Sequence, residues 1–339
     1  MRGYRSSGVA PARARAASDR CISNSWFLFV AALVAGWPFS ASATCGAAVC
    51  ALNTAWEAQG VTTDPGLRLD LRFEYIDQDQ PRAGRRKVAV GEIPQHHDEI
   101  RTINRNWIAT LDYAPNADWG VSLQLPLLSR DHAHIHNHGT PPTPELQSAR
   151  FDEIGDVRLL ARRRLAAGEV THGVIGGLKL PTGKTDVELD QGGEAERSLQ
   201  PGTGTTDLIV GYYANTLRIL GDAPARLFAQ AQIQAALDEA RGYRPGTQYN
   251  LDLGIVYPAA GTWSGLLQVN AQVRGRERGE NAESENSGGS FVWLSPGVSY
   301  ALGRSTQLYA FVQLPVYQRV NGVQLTADYA AAAGVHWRF

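Results

Sequence analysis

The chain has 339 residues, a formal net charge of −1, 35 glycines, 17 prolines and three cysteines. After residue 43, no apolar run reaches the length of about 18 residues that a membrane-spanning helix needs, which excludes a helical membrane protein. Basic residues are not interleaved with aromatic ones in any patch, so no nucleic-acid partner is expected.

Residues 1–43 predict a signal peptide that is cleaved on export. Arg2, Arg5 and further basic residues precede the apolar run Trp26–Trp37, which is too short to span a bilayer as a helix. Ala41 and Ala43 place small side chains where signal peptidase needs them. The mature chain is therefore expected to be exported.

Residues 44–66 are predicted to form an N-terminal periplasmic segment. Because Cys21 leaves with the signal peptide, Cys45 and Cys50 remain alone in an oxidising compartment. We expect these two cysteines to form a disulfide that closes a short loop, since a metal site would need two further ligands nearby.

Twelve segments of alternating apolar and polar residues follow residue 66. Alternation at every second position is the period of a strand with one apolar face, and most segments have the roughly ten residues that a tilted transmembrane strand requires. The predicted strands are Leu67–Asp77, Ile103–Tyr113, Trp119–Ser129, Val157–Leu165, Val170–Leu180, Asp207–Leu217, Arg226–Leu237, Thr247–Tyr257, Gly265–Arg274, Phe291–Ala301, Thr306–Tyr317 and Gln324–Phe339.

The connections between these segments alternate between short and long. A water-soluble β-sandwich would show the same residue alternation, but it has no reason to keep short turns at one end and long loops at the other. The pattern is typical of an all-β fold, an antiparallel transmembrane β-barrel of the outer-membrane type with about 12 strands, spanning residues 67–339. The expected location is the outer membrane of a Gram-negative bacterium. We expect long loops such as Pro181–Thr206 to be solvated.

The polar face of the segments would line the interior of such a barrel. It offers either a wetted path for small solutes or a packed network of ion pairs, and a strand number of 12 does not decide between the two. The predicted pore-lining residues are Arg68, Asp70, Arg72, Glu74, Asn104, Asn106, Asp112, Arg158, Lys179, Gln230, Gln232, Gln234, Asn250, Asp252, Gln268, Asn270 and Gln272.

A histidine-rich stretch in one long loop is the sharpest chemical feature of the chain. His132, His134, His136 and His138 recur at every second position, so an extended backbone would hold them on one face about 6.6 Å apart. With a turn, or with help from His96–His97 in the preceding long loop, they could bind Zn or Cu. The alternative is a polar surface that titrates near about pH 6.5. No other cofactor is expected.

Two further patterns resemble known outer-membrane proteins. Gly177–Gly183 reads Gly-Leu-Lys-Leu-Pro-Thr-Gly and is followed by Asp207 at the start of the next strand. This pattern resembles the outer-membrane "transporter" family named for a putative meta-pathway of phenol degradation. The last eleven residues, with Gly334, Trp337 and Phe339 in place, resemble the closing strand that bacterial barrels present to the barrel-assembly machinery. The resemblance implies a channel-type barrel, without establishing a solute.

The sequence therefore predicts an outer-membrane channel or transporter for small solutes, with outer-membrane lipid and the assembly machinery as partners, and no enzyme. An outer-membrane hydrolase is one alternative. Outside the histidine-rich loops, the chain offers only His172 and His336 as candidate catalytic histidines for such an enzyme. No Gly-x-Ser-x-Gly elbow is present. A closed structural or adhesive barrel is the other alternative.

Overall fold

The computed structural model describes residues 51–61, 64–93, 98–136 and 144–339. The predicted signal peptide, both cysteines of the predicted disulfide, and His96, His97 and His138 lie outside the described residues. Within the described residues, no helix is long and apolar enough to cross a membrane. Their one helical element is the short 3-10 turn Ser284–Asn286.

The described residues form fourteen strand segments. They are β1 (Gly66–Ala83), β2 (Arg86–Lys87), β3 (Asp98–Ala114), β4 (Trp119–His136), β5 (Glu145–Ile154), β6 (Val157–Ala166), β7 (Thr171–Leu180), β8 (Asp207–Leu220), β9 (Ala223–Ala236), β10 (Gln248–Tyr257), β11 (Trp263–Arg274), β12 (Gly289–Leu302), β13 (Thr306–Val320) and β14 (Val323–Arg338).

The strand segments close into a single antiparallel barrel. The first strand, β1, pairs along its length with the last, β14, so that Leu71 lies opposite Val335 and the sheet has no free edge. Strands β5 and β6 both pair with β4, on its later and earlier halves, and together they form one barrel strand interrupted at residues 155–156. The two-residue segment β2 only pairs with the end of β1 and is not a separate barrel strand. With β5 and β6 counted as one, the fourteen segments make twelve barrel strands, so the predicted 12-stranded antiparallel barrel is confirmed.

Apolar side chains face outward and polar ones inward. Leu111, Val121 and Leu253 are each more than 40% exposed on the outer surface. Glu74 and Asn270, in contrast, are 0% exposed. A water-soluble protein has the opposite distribution, because its large apolar side chains are buried. The outer face is therefore a lipid-facing band, which is the arrangement of a transmembrane barrel.

The two ends of the barrel differ as the sequence predicted. The turns between β3 and β4, β6 and β7, β8 and β9, β10 and β11, and β12 and β13 are short and lie at what we call the short-turn end. The remaining connections between barrel strands lie at the opposite end, which we call the long-loop end. The connection between β13 and β14 is the exception in length, because it consists of two residues, of which Gly322 has a φ of 49°. At the short-turn end, Trp263 packs on Tyr300 with ring centroids 4.6 Å apart, as in an interfacial aromatic girdle.

Several strands extend farther at the long-loop end than predicted. β1 continues to Ala83, β3 begins at Asp98, and β4 continues to His136, so that His132 and His134 lie in a strand rather than in a loop. β5 was also missed, because its residues were assigned to a loop. Beyond the lipid band both faces of a strand are polar, so the strand ladder continues where the apolar alternation has ended.

Candidate functional site: the barrel interior

The predicted pore-lining residues all lie on the inner face of the barrel. Most of them are buried, and Arg158, Gln232 and Asn250 border an internal cavity. Arg274 borders the same cavity and was not among the predicted residues, although its parity with Gln272 on the same strand would have identified it.

Ion pairs between neighbouring strands fix part of this inner surface. Arg68 Nη1 lies 2.9 Å from Asp112 Oδ1, and Arg162 Nη2 lies 3.2 Å from the same oxygen. On β1 itself, Arg72 Nε lies 2.9 Å from Glu74 Oε1. These charges are thus paired with one another, so part of the interior is a packed network.

A second network joins Lys179 of the Gly177–Gly183 run to Asp207, the aspartate that follows this run at the start of the next strand. Lys179 Nζ lies 3.0 Å from Asp156 Oδ2 and 3.1 Å from Asp207 Oδ1. Gln234 Nε2 donates a hydrogen bond of 2.6 Å to Asp207 Oδ2. The lysine and the aspartate that are separated by a long loop in the sequence therefore meet inside the barrel.

The loop of residues 181–206, which we call the cap loop, folds into the long-loop mouth. Asp156 accepts hydrogen bonds from the backbone N–H groups of Gly183 (3.1 Å) and Thr203 (2.9 Å). Arg130, which is buried on the inner face of β4, donates to the carbonyl oxygen of Leu199 at 2.6 Å. Leu199 itself is only 2% exposed. The first half of the cap loop is largely exposed, as expected, whereas the expectation of a solvated loop is wrong for its second half, which is mostly buried and whose backbone is hydrogen-bonded to the barrel.

The neighbouring loops pack against the cap loop. Arg197 of the cap loop donates to the carbonyl oxygens of Thr185 and Thr203, and its guanidinium lies 5.2 Å from the ring centroid of Tyr243. The Tyr243 hydroxyl donates a hydrogen bond to Glu277. Burial, reinforced by the charge of Glu277, raises the pKa of the Tyr243 hydroxyl well above its usual value. The cap loop and the loops that carry Tyr243 and Glu277 thus pack together.

Residues 51–61, which we call the lumen segment, lie inside the barrel. Trp56 is 1% exposed, packs edge-on against Tyr309 at 5.0 Å, and donates from Nε1 to Asp70 Oδ2 at 3.1 Å. Asn53 donates to Asp252 Oδ2 at 3.1 Å, and its carbonyl oxygen accepts from Gln268 at 2.9 Å.

This position corrects the prediction of a periplasmic segment for residues 51–61. The segment contacts the inner wall near the start of β1, so it occupies the short-turn half of the interior. Its polar residues replace water as hydrogen-bond partners of the wall. The sequence signal for a buried segment was Trp56, a large apolar side chain that lies between Asn53 and Gln59 just before the first strand.

A cavity of about 310 Å³ remains beside the lumen segment. Strands on several sides of the barrel contribute to its wall, with Arg72, Arg158 and Arg274 among the charged residues and Leu160 among the apolar ones. The cavity is therefore amphipathic and rich in guanidinium groups.

The described histidines of the histidine-rich stretch form a hydrogen-bonded chain. Thr102 Oγ1 lies 2.7 Å from His132 Nδ1, His132 Nε2 lies 2.9 Å from His134 Nδ1, and His134 Nε2 lies 3.1 Å from Gln147 Oε1. In the described part of the chain, no group of three or more metal-ligating residues is assembled. The predicted metal site, including His136, His138, His96 and His97, stays a prediction.

The two candidate histidines for hydrolysis lie apart from each other. His336 Nδ1 is 3.7 Å from Asp70 Oδ2, and neither of its ring nitrogens makes a hydrogen bond to any described residue. The ring of His172 lies against Tyr212, with centroids 5.7 Å apart. No serine is thus hydrogen-bonded to His336 in the described residues, where a serine hydrolase would need one.

Comparisons with known proteins identify the fold. No protein-family model matches the chain, and no curated protein matches it either. Among solved structures, an outer membrane channel from Pseudomonas putida F1 matches with a TM-score of 0.57 and 14% sequence identity, covering 82% of this chain and 97% of that chain. The chain has the fold of an outer-membrane β-barrel.

Two further solved structures match this outer-membrane barrel at lower similarity. The NanC porin has a TM-score of 0.44 at 10% identity, covering 80% of this chain and 100% of that chain. The β domain of the Bordetella autotransporter BrkA also has a TM-score of 0.44 at 12% identity, covering 81% of this chain and 100% of that chain. The predicted outer-membrane location is confirmed at the level of the fold, whereas the narrower phenol-degradation resemblance stays a prediction.

Proposed function

We propose that this outer-membrane barrel is a channel for small solutes and that the lumen segment must shift for it to conduct. The observation that carries the proposal is the amphipathic cavity of about 310 Å³ enclosed by a transmembrane barrel. A barrel that served only as a scaffold would have no need for a cavity beside an otherwise packed wall.

The contacts of the lumen segment are compatible with movement. Asn53 and Trp56 donate to the carboxylates of Asp252 and Asp70, each bond contributing about 1.5–3 kcal/mol net, and Trp56 also packs against Tyr309. Water can satisfy the same carboxylates once the segment leaves. Displacement of the segment therefore has a modest free-energy cost compared with unfolding of the barrel.

Single-channel conductance in planar bilayers tests the proposal. We expect the refolded mature chain to conduct in short openings of low conductance, and the double variant Asn53→Ala/Trp56→Ala to conduct more and for longer. The matched control is Trp263→Ala, which removes a tryptophan that is 60% exposed on the outer surface and should leave conductance unchanged. No conductance from either the mature chain or the double variant would contradict the proposal.

The closed structural barrel is the second candidate, because both the lumen segment and the cap loop contact the inner wall. It predicts no conductance in any of these variants. The hydrolase candidate has weaker support, since Asp70, the acidic neighbour of His336, is already hydrogen-bonded to Trp56 and Tyr309. Lipid or peptide hydrolysis without conductance would favour it.

The remaining partners belong to the same proposal. Outer-membrane lipid would contact the outward apolar band, and the barrel-assembly machinery would receive the closing strand β14. Small-molecule solutes would pass through the interior. The resemblance to the phenol-degradation family implies a channel-type barrel and no particular solute.

Metal binding by the histidine-rich stretch is a separate refinement. A zinc ion would replace the hydrogen bond between His132 and His134 and take one nitrogen from each ring, with His136 as a further candidate ligand. Zinc titration of the wild type should give tighter binding than titration of His132→Ala/His134→Ala, with His172→Ala as control. Equal zinc affinity of all three proteins would exclude the site.

A further inference from the structure

We propose that the internal cavity binds a small organic carboxylate through Arg158 and Arg274. The inference deepens the proposed channel function by naming the class of solute. These two arginines differ from the other arginines of the cavity wall. Arg158 comes from β6 and Arg274 from the end of β11, and both side chains border the cavity.

Neither guanidinium makes a hydrogen bond or an ion pair with any described residue, whereas the other arginines of the cavity wall are paired. Arg68 and Arg162 share Asp112, with the nearest distances at 2.9 and 3.2 Å. Arg72 is held by Glu74 at 2.9 Å. An arginine in a barrel interior without an anion partner is costly, so its presence points to a charge that is supplied from outside.

The carboxylates near Arg158 are already engaged. Asp156 and Asp207 act on it electrostatically, but both lie within 3.1 Å of Lys179. Arg72 and Arg274 add repulsion, since the positive charge of each also acts on Arg158. The excess of positive charge is thus local to this part of the wall, where a bound anion would relieve it.

Asp252, a carboxylate of the same wall, is engaged in the same way. It accepts hydrogen bonds from Asn53 at 3.1 Å and from Asn270 at 2.7 Å. Asp70 is likewise used by Trp56 and Tyr309. These carboxylates therefore carry partners of their own and are not available to Arg158 or Arg274.

The surroundings favour a carboxylate attached to a small apolar body. Guanidinium groups bind carboxylates with two parallel hydrogen bonds, and the side-chain amides of Gln232 and Gln248 border the same cavity as additional donors. Leu160 and Ile175 form an apolar part of the wall, against which an inorganic oxyanion would gain nothing. The cavity volume lies at the lower end of the range for small-ligand sites, roughly 300–1,000 Å³.

Isothermal titration of the refolded mature chain in detergent at low salt tests the inference. The probes are butyrate, inorganic phosphate and the cation butylammonium. We expect saturable binding of butyrate and none of butylammonium. Arg158→Gln and Arg274→Gln should each weaken butyrate binding by about tenfold, because a charge-assisted hydrogen-bonded pair is lost. Arg319→Gln is the matched control, since Arg319 is an exposed arginine near the end of β13.

Retention of the heat-stable folded form by each variant on gel electrophoresis excludes misfolding as the cause of a loss. Butyrate binding that is absent, or that is the same in all four proteins, overturns the inference. Phosphate binding as tight as that of butyrate, with the same dependence on Arg158 and Arg274, overturns the assignment to organic carboxylates. The titration does not require conduction, so loss of binding with conductance intact contradicts the site alone, and binding without conductance contradicts the channel alone.

Discussion

At the scale of single residues, Gly334 on β14 makes room for an inward tyrosine. A Cβ atom at this position would lie 2.4 Å from the Cζ and Oη atoms of Tyr309, whose hydroxyl donates to Asp70 at 2.8 Å. Gly334→Ala must therefore displace a ring that also packs against Trp56. We expect a loss of about 1–3 kcal/mol in the free energy of unfolding, measured by urea titration in liposomes.

Gly176 provides the matched control for this substitution. It lies in β7, and a Cβ atom there meets nothing within 4 Å. Gly176→Ala should change the free energy of unfolding by no more than about 0.5 kcal/mol. Equal losses in the two variants would show that contact with Tyr309 does not decide the result.

The sequence identified which side chains point inward, but not which of them are partners. Alternation alone places Arg68 and Asp112 on the same face of their strands. Their ion pair depends on the register of β1 against β3, in which these two residues lie opposite each other. Register follows from the closing of the whole barrel, and a single sequence does not contain it in readable form.

At the scale of elements, Asp156 is the anchor of the cap loop. Its carboxylate accepts from the backbone of Gly183 and Thr203 and pairs with Lys179. Asp156→Ala removes these contacts and leaves Lys179 with one carboxylate fewer, so the cap loop should open more often. We expect cleavage by trypsin after Arg197, which is 7% exposed, to accelerate by about tenfold or more.

Asp152→Ala is the control for the cap loop, since Asp152 is an exposed aspartate of β5. Its rate of cleavage after Arg197 should match that of the wild type, with cleavage sites read by mass spectrometry. An unchanged rate in Asp156→Ala would mean that Arg130 and the neighbouring loops hold the cap loop without this carboxylate.

Sequence periodicity predicted the strands within the lipid band and failed outside it. The twelve barrel strands were found because an apolar outer face alternates with a polar inner one only where lipid is the solvent. The extension of β4 through His132 and His134, and the whole of β5, were assigned to loops because both of their faces meet water or polar groups. The lumen segment was missed for a related reason, since its buried partners are themselves polar.

At the scale of the whole molecule, the barrel combines a lipid-facing exterior with a hydrophilic interior that is partly filled. Ion pairs and the lumen segment occupy much of that interior, and the cavity bordered by Arg158 and Arg274 is the space that they leave. The packed network that the sequence posed as one alternative therefore fills part of the interior. The wetted path, the other alternative, would run through the cavity under the channel proposal.

The measurement that tests this account most directly is quenching of single fluorescent labels by brominated lipid. Labels are attached at Leu253→Cys and Val269→Cys on the outer face, and at Gln232→Cys and Asn250→Cys on the cavity wall, in a chain whose own cysteines are replaced by serine. In liposomes, we expect strong quenching of the two outer labels and little quenching of the two inner ones. Equal quenching at all four positions, or quenching of the inner pair alone, would contradict the assignment of the apolar face to lipid and the polar face to the interior.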